Sequence, residues 1–319
     1  LVSMDNCSHN GDKLYAAVHA YAEAWTKNGL VDEGFLAYIE NPENVSFPWS
    51  MIDKITPRPD DSVKKMLEEV GFTDTESIVT SKNTYVAPFV NAEEAEYLVI
   101  EDAFPNGRPA LEKSGVMFTT RETVEKVERM KVCTCLNPLH TTLAVYGCLL
   151  GYTSIAAEMQ DAQLKKLVEK IGYEEGMPVV VNPGIIDPMD FIHEVIDLRL
   201  PNPYIPDMPQ RIATDTSQKV AIRFGETIKA YAESDELDVA SLKLIPLVFA
   251  GWKDKPLCPP ALAPSLSRRD RYCVVLPISH RHGHKVRPTR RHLSVLYKSP
   301  RSRNSSGILR NGDTYLRTH

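Results

Sequence analysis

The sequence has no apolar run approaching the ~18 residues that a membrane-spanning helix requires. Its opening residues lack a basic stretch followed by an apolar one, so we expect no signal peptide there. The six cysteines lack the paired spacing of zinc sites and of disulfide scaffolds, so the sequence predicts neither kind of site. Cysteines without disulfide spacing favour a reducing, cytoplasmic location. What remains is a chain of 319 residues, 43% hydrophobic and 25% charged, with the composition of a globular protein large enough for one or two domains.

Charge is unevenly distributed along the chain. Residues 253–319 contain 15 Lys and Arg against 3 Asp and Glu, whereas residues 1–252 contain 22 against 39. No helical or strand periodicity is sustained beyond Trp252, so residues 253–319 are predicted to be a basic tail, disordered or poorly packed. The tail is either a foreign or out-of-frame extension, which the abrupt loss of patterning favours, or a segment that binds nucleic acid or a membrane. Its His280, His282 and His284 lie among arginines without acidic or Cys partners, and we expect no metal there.

The hydrophobic pattern of residues 1–252 predicts a mixture of helix and strand up to about residue 120 and mostly helix after it. Apolar residues at helical spacing predict a helix over 12–28, and residues 47–60 are too rich in Pro for one. The apolar run at 97–100 suits a buried strand. A capping box at 119–122 predicts the start of a helix, and the pattern stays mostly helical to about residue 250.

Lys131 lies in this predicted helix on the same stripe as Val124 and Val127. A lysine facing the interior loses hydration of its charged form, and the resulting neutral amine can accept a proton from an alcohol. Alternatively, Lys131 ends the helix and extends its ammonium to water near the negative helix terminus. Periodicity alone leaves both readings open.

Asn137 and His140 stand at the start of a second predicted helix that runs through Leu149. Asn is a common helix cap, and Pro138 suits the first helical position. His140 then lies near the positive helix end, which favours a neutral imidazole. The two side chains either hold an alcohol or ketone oxygen or serve as a cap and a packed histidine.

Arg211, Asp215 and Lys219 are spaced to share one face of a helix beginning near Pro209. The face is either a solvated ion-pair ladder or a basic wall that donates hydrogen bonds to sugar hydroxyls or a carboxylate. Cys133 and Cys135 have the wrong spacing for a redox pair and are predicted to pack as small apolar residues.

Motifs spread from Ser3 to about Trp252 together resemble the mannitol dehydrogenase family of polyol-specific long-chain dehydrogenases. The matching segments, in family order, are Met4-Asp5-Asn6, His9-Asn10-Gly11, Phe47-Pro48, Ser50-Met51-Ile52-Asp53-Lys54-Ile55-Thr56-Pro57, Ile100-Glu101-Asp102, Phe104-Pro105-Asn106-Gly107-Arg108-Pro109, Met130-Lys131, Asn137, His140, Asn202-Pro203, Asp207, Arg211-Ile212, Asp215, Ser217 and Lys219. Several motifs in the right order make the resemblance specific, and it favours the functional reading of the residues above.

The resemblance implies a role for each matching site residue. Lys131 is similar to the base that removes the hydroxyl proton as hydride leaves the carbon. The residues that hold the reacting oxygen are Asn6, Asn137 and His140. The residues that grip the other substrate hydroxyls are Asp53, Arg211 and Lys219. Lysine and amides then do the work of a Lewis acid, so no metal is expected.

The resemblance also implies an α/β fold followed by a mainly α one. Residues 1–122 are expected to be the C-terminal part of an extended Rossmann-type domain, and residues 123–252 a helical substrate domain. The implied reaction interconverts a sugar alcohol or aldonate and its ketose with NAD, the leading pairs being mannitol with fructose and mannonate with fructuronate. Neither the pair, the choice of NAD or NADP, nor the oligomeric state is predicted.

Departures from the family pattern limit these expectations. Lys131 and Asn137 are six positions apart where the family has five, and we expect the connector Val132–Leu136 to absorb the extra residue. Pro138-Leu139 replaces the pair of small residues usual before the histidine. The Gly-rich turn that holds dinucleotide phosphates is absent, and the basic tail stands where the family has its last helices, so we expect the chain to be incomplete at both ends. A non-catalytic remnant is therefore the alternative to an active dehydrogenase.

Overall fold

The computed structural model describes residues 1–56 and 59–253, all of which belong to the unit Leu1–Ser265. The basic tail and its three histidines, for which the sequence made predictions, lie outside the described residues, except for Lys253. The strands are β1 (Ser50–Asp53), β2 (Ile78–Val79), β3 (Tyr85–Val86), β4 (Tyr97–Glu101) and β5 (Met117–Thr119). The helices are α1 (Asn10–Lys27), α2 (Gly34–Glu40), α3 (Asp61–Glu69), α4 (Arg121–Met130), α5 (Asn137–Leu150), α6 (Ile155–Glu158), α7 (Ala162–Lys170), α8 (Pro188–Glu194), α9 (Pro209–Ile212), α10 (Thr216–Arg223), α11 (Gly225–Glu233) and α12 (Leu244–Lys253).

A three-stranded sheet with the order β1-β4-β5 lies under helix α4. Strand β1 runs antiparallel to β4 with Ser50 opposite Ile100, and β5 runs parallel to β4 with Met117 opposite Val99. Strand β4 is the predicted buried strand, and Val99 in it is fully buried. No strand among the described residues follows β5, and the rest of the described chain is helical. The prediction of α/β followed by mainly α is confirmed.

The segment before α1 is fastened to strand β1 by Asn10. The Asn10 side chain is 1% exposed; its Nδ2 donates to Ser50 O at 3.0 Å and to Ser50 Oγ at 2.8 Å. Its Oδ1 accepts from Ser50 N at 3.0 Å, so hydrogen bonds run in both directions between Asn10 and Ser50. A Cβ on the neighbouring Gly11 would overlap the carbonyl oxygen of Phe47, so only glycine allows this close approach. The attachment brings Asn6 to the end of β1 that carries Asp53.

Helix α1 forms where the apolar spacing predicts it, but most of its apolar side chains are exposed. Tyr21 is 65% exposed and Trp25 is 42% exposed. Trp25 stacks on Phe35 of α2 with ring centroids 6.4 Å apart. The helix is instead anchored by its first turn, through the tight contacts of Asn10 and Gly11.

The connector between α4 and α5 is a π-helical turn, Lys131–Cys135. Its closing bond runs from Leu136 N to Lys131 O at 3.1 Å, a span of five residues. A π-helical turn holds one residue more than an α-turn, so it accommodates the additional position between Lys131 and Asn137. The connector is therefore wide enough for one additional residue, and the expectation that it absorbs an extra residue relative to the family stays a prediction.

The helix predicted from Pro209 onwards is broken. It divides into α9 and α10, and Asp215 between them is in the left-handed region at φ 56°. The prediction that Arg211, Asp215 and Lys219 share one helix face is therefore wrong. The Lys219 Nζ donates to Ile212 O at 3.1 Å and to Thr214 O at 2.6 Å, which satisfies carbonyls freed by the break.

Candidate active site

Lys131 is the buried basic residue at the centre of the candidate site. It follows α4, whose inward stripe also contains the buried Val124 and Val127, and only 3% of Lys131 is exposed. Its Nζ donates to Ile52 O at 2.6 Å and to Asn6 Oδ1 at 3.2 Å, and lies 3.5 Å from Asp53 Oδ1. Helix α4 and strand β1 thus bring together three predicted site residues, Lys131, Asn6 and Asp53.

The environment of Lys131 favours its neutral amine. Burial is the main cause that lowers the pKa of Lys131 below its ordinary value, because it removes water from the ammonium. The Asp53 carboxylate opposes this shift, and the positive charge of Arg199 adds to it. The chemical consequence is an amine able to accept a proton at lower pH than an exposed lysine.

Arg199 binds two buried carboxylates beside Lys131. Its Nη1 and Nη2 donate to the two oxygens of Asp53 at 2.7 and 3.0 Å. Its Nε and Nη2 donate to the two oxygens of Glu93 at 2.9 and 2.7 Å. Burial alone would lower the pKa of Arg199, but the bonds to Asp53 and Glu93 outweigh it and raise the pKa. Both oxygens of Asp53 are therefore already bound, and its predicted grip on substrate hydroxyls stays a prediction.

His140 forms a second polar group with Asp207 and Arg211. Its Nε2 lies 3.0 Å from Asp207 Oδ2, and Arg211 Nε donates to Asp207 Oδ1 at 2.9 Å. Burial raises the pKa of Asp207, but the bonds and charges of His140 and Arg211 outweigh it and hold the pKa below its usual range. Helix α9 packs on α5, which is how Arg211 reaches the first turn of α5.

Glu158 is a buried carboxyl next to this second group. It is fully buried, and neither of its carboxyl oxygens has a hydrogen-bond partner within the described part of the chain. Burial, helped by the negative charge of Asp207, raises the pKa of Glu158 to about 9. The Glu158 side chain is therefore a neutral acid at pH 7.

Asn137 and Lys219 are placed differently from the sequence prediction. Asn137 is the first residue of α5, and the cap position is taken by Leu136, without a side-chain cap bond. Asn137 is half-buried and lies one π-helical turn from Lys131. Lys219 belongs to α10, which packs against that same turn. Its pKa is lowered, chiefly by burial and further by the charge of Arg223.

Sequence reasoning missed Arg199, Glu93 and Glu158. Arg199 and its partners are 106 and 146 positions apart, so no local spacing could have linked them. The one available signal was an arginine at helical spacing from the apolar residues Ile192, Val195 and Ile196, since a buried arginine needs carboxylate partners.

The other reactive groups of the described chain have no placement that suggests chemistry. Burial raises the pKa of Cys133 to about 11 and that of Cys135 to about 12, as expected of packed thiols. Among residues 1–56 and 59–253, no group of three or more His, Cys, Asp or Glu is arranged to hold a metal ion. No helix in the same ranges is both long and apolar enough to cross a membrane.

Comparison with known proteins gives relatives over most of the described chain. The mannitol dehydrogenase C-terminal domain matches residues 123–253. D-mannonate oxidoreductase of Thermotoga maritima is 63% identical over 254 residues, which are 79% of this chain and 47% of that protein. The chain thus spans about half the length of the curated relatives it matches.

Two solved structures share the fold at 29% sequence identity. A D-sorbitol dehydrogenase in substrate-free form matches with a TM-score of 0.65 over 79% of this chain and 47% of its own. The Pseudomonas fluorescens mannitol 2-dehydrogenase, in a ternary complex with NAD and D-mannitol, matches with a TM-score of 0.58 over 79% and 46%. The family model, the curated relative and the solved structures all indicate one family, and the chain belongs to the mannitol dehydrogenase family.

Proposed function

We propose that this chain carries the substrate-binding and proton-transfer residues of an NAD-dependent oxidoreductase that interconverts a sugar alcohol or aldonate and its ketose. The observation that carries the proposal is the buried Lys131 amine, hydrogen-bonded to the Asn6 amide. The 63% identity to D-mannonate oxidoreductase supports mannonate and fructuronate as the first pair to test, ahead of mannitol and fructose.

The proposed chemistry of Lys131 is general-base catalysis. The substrate hydroxyl approaches Nζ, and the neutral amine accepts its proton as the carbon is oxidised. In the reverse direction the ammonium returns that proton to the carbonyl oxygen. No metal is needed, because the charge on the oxygen is met by the ammonium formed on Lys131 and by the amide donors nearby.

The amides of Asn6 and Asn137 are proposed to hold the reacting oxygen. Asn6 already accepts from Lys131 through Oδ1, so its Nδ2 is the donor left for a developing alkoxide. His140 is proposed to position the same oxygen, with its ring fixed by the buried Asp207. Arg211 and Lys219 are proposed to donate to the remaining hydroxyls or to a substrate carboxylate.

The cofactor NAD would accept hydride, but the described residues do not fit its phosphates. A dinucleotide site needs a Gly-rich turn between a strand and the following helix. The connection from the parallel strand β5 into α4 runs through Thr120 with no glycine. We propose residues 1–122 as the remainder of the cofactor-type domain and residues 123–252 as the substrate domain.

The test is turnover by the full chain and by one lysine variant. NADH oxidation is followed with fructuronate and, in parallel, with fructose, for the chain, for Lys131→Ala and for the control Lys126→Ala on the exposed side of α4. Loss of the base is expected to reduce kcat by about 10²- to 10⁴-fold, while Lys126→Ala stays active. A Lys131→Ala variant that keeps its activity contradicts the proposed base.

The alternative function is a remnant that keeps the site but binds no cofactor. Its support is the missing Gly-rich turn. NADH fluorescence titration of the chain separates the two: micromolar affinity excludes the remnant, and no binding at millimolar NADH supports it.

A further inference from the structure

The four charged side chains Lys131, Asp53, Arg199 and Glu93, here called the buried charge cluster, have an asymmetric arrangement. Each is at most 4% exposed. Arg199 uses two nitrogens on Asp53 and two on Glu93, all within 3.0 Å. Lys131, in contrast, is 3.5 Å from Asp53 and directs its short bond to the carbonyl oxygen of Ile52. Asp53 is thus paired with the arginine more closely than with the lysine.

Glu93 explains why the arginine stays in place. Its Oε1 accepts from Ile55 N at 2.6 Å, and its backbone N donates to Ile55 O at 3.1 Å. Glu93 is therefore bound to the chain just beyond β1, two residues after Asp53. Arg199 itself ends the π-helical turn Val195–Arg199, so its backbone is fixed from the other side. The guanidinium bridges these two segments.

We propose that Arg199, held by Glu93, is a positioning residue for Lys131: it takes Asp53 as its bidentate partner and so offsets the charge of the carboxylate that lies 3.5 Å from the Lys131 amine. A lysine with a bidentate partner would stay protonated, since an opposite charge within about 4–6 Å favours the charged form. Here that partner's charge is offset by Arg199. The assignment rests on the proposed function of Lys131 as a base, and neither Arg199 nor Glu93 is assigned contact with substrate.

The charged groups around Lys131 shift its pKa in the directions that the proposal requires. Asp53 on β1 and Glu128 on α4 raise the pKa of Lys131, and Arg199 lowers it. Glu93 does not contact Lys131 but neutralises part of the Arg199 charge. Weakening Arg199 should therefore raise the Lys131 titration midpoint, and neutralising Glu93 should lower it. If the cluster is purely structural, the Arg199 and Glu93 variants should lose stability without shifting the Lys131 titration midpoint in opposite directions.

The experiment measures the titration of Lys131 itself, so it needs no turnover. The full chain is labelled with 13C at lysine Cε, the Lys131 resonance is assigned with Lys131→Arg, and its shift is followed against pH. Arg199→Lys keeps the charge but cannot bridge both carboxylates, and it is expected to raise the midpoint by about one pH unit. Arg108→Lys is the control, because Arg108 also bridges two carboxylates, Asp102 and Glu112, at the surface.

Two further variants test the proposal if Arg199→Lys does not fold. The double variant Arg199→Gln/Glu93→Gln removes one charge of each sign and should raise the midpoint. Glu93→Gln alone keeps Arg199 on Asp53 and should lower it. For Arg108→Lys, the Lys131 titration midpoint is expected to stay within about 0.2 pH units of the parent value. A folded variant of Arg199 or Glu93 whose midpoint also stays within that range, or shifts in the opposite direction, overturns the proposal. If Lys131→Ala keeps turnover while these shifts occur, the proposed base fails and the control of Lys131 by Arg199 stands.

Discussion

Lys131 Nζ lies 3.2 Å from Asn6 Oδ1, although the two residues are 125 positions apart in the chain. The contact exists because Asn10 fastens the segment before α1 to β1, while α4 packs over the same strand. It fixes which end of the Asn6 amide faces Lys131. The amide oxygen is engaged, so the amide nitrogen is the group available to a substrate oxygen.

Asn6→Ala is expected to reduce kcat by about 10²- to 10³-fold, the usual cost of one donor to a developing oxyanion. Asn6→Asp is expected to move the pH profile of kcat upwards, since a carboxylate next to Lys131 favours the ammonium. Both effects are measured in the NADH assay, with Asn28→Ala at the exposed end of α1 as the matched control. Equal activity of Asn6→Ala and Asn28→Ala would exclude Asn6 from the reaction.

Local patterns in the sequence predicted some of the elements that carry the site, helix α4 among them. The capping box predicted the start of α4, and the observed cap is Thr120, whose Oγ1 accepts from Thr123 N at 3.3 Å. The stripe of Val124 and Val127 offered the inward placement of Lys131 as one of two readings, and the structure shows that placement. These features depend on residues three to seven positions apart, and such spacing is visible in a sequence.

The partners of the site residues were not predictable in the same way. The pairing of Arg199 with Asp53 depends on how a π-helical turn after α8 meets β1. The break at Asp215 was also hidden: Asp is favoured at helix N-caps and tolerates the left-handed region, but one such residue in an otherwise helical pattern does not show that the helix stops there. Long-range charge pairing and a single left-handed residue are set by tertiary packing, which outweighs local propensity.

Asp207→Asn is expected to reduce kcat by about 10- to 100-fold, by analogy with the loss of a carboxylate that orients a metal-binding histidine. The reason is that one carboxylate fixes both His140 and Arg211. The matched control is Asp197→Asn, where an exposed aspartate pairs with Lys165 at 3.3 Å. If Asp207→Asn changes the Kd for substrate and leaves kcat unchanged, Asp207 acts only in substrate binding, through Arg211.

The same variant makes a prediction about acid stability. The folded-state pKa of Asp207 is depressed, so its contribution is present above the ordinary value of 3.8 and is lost as pH falls through the lower, folded-state pKa. Asp207→Asn should therefore be less stable than the parent at pH 6, with the difference shrinking below pH 4. Urea unfolding at both pH values measures it, and a difference that grows in acid would contradict the sign.

Glu158→Gln is expected to remove a pH dependence of stability. The pKa of Glu158 is raised from 4.5 to about 9, so the folded chain holds a proton that the unfolded chain has lost. The free energy of unfolding should fall across this window by up to about 1.4 kcal/mol per pH unit relative to Glu158→Gln. Urea unfolding from pH 5 to pH 9 measures the difference, with the exposed Glu236→Gln as control. Parallel curves for parent and Glu158→Gln would mean that Glu158 is ionised in the fold.

Gly147→Ala tests the packing that keeps Glu158 dry. A Cβ on Gly147 of α5 would overlap the Glu158 carboxyl, so the carboxyl must move or the helices must separate. Overpacking of this kind costs about 1–3 kcal/mol. Gly225→Ala is the control, because its nearest neighbour, Val220 O, lies at an ordinary 3.8 Å. Adding Glu158→Ala to Gly147→Ala should restore part of the loss, since the methyl then fills vacated space. A double variant whose loss equals the sum of the two single losses would show that Gly147 and Glu158 do not touch.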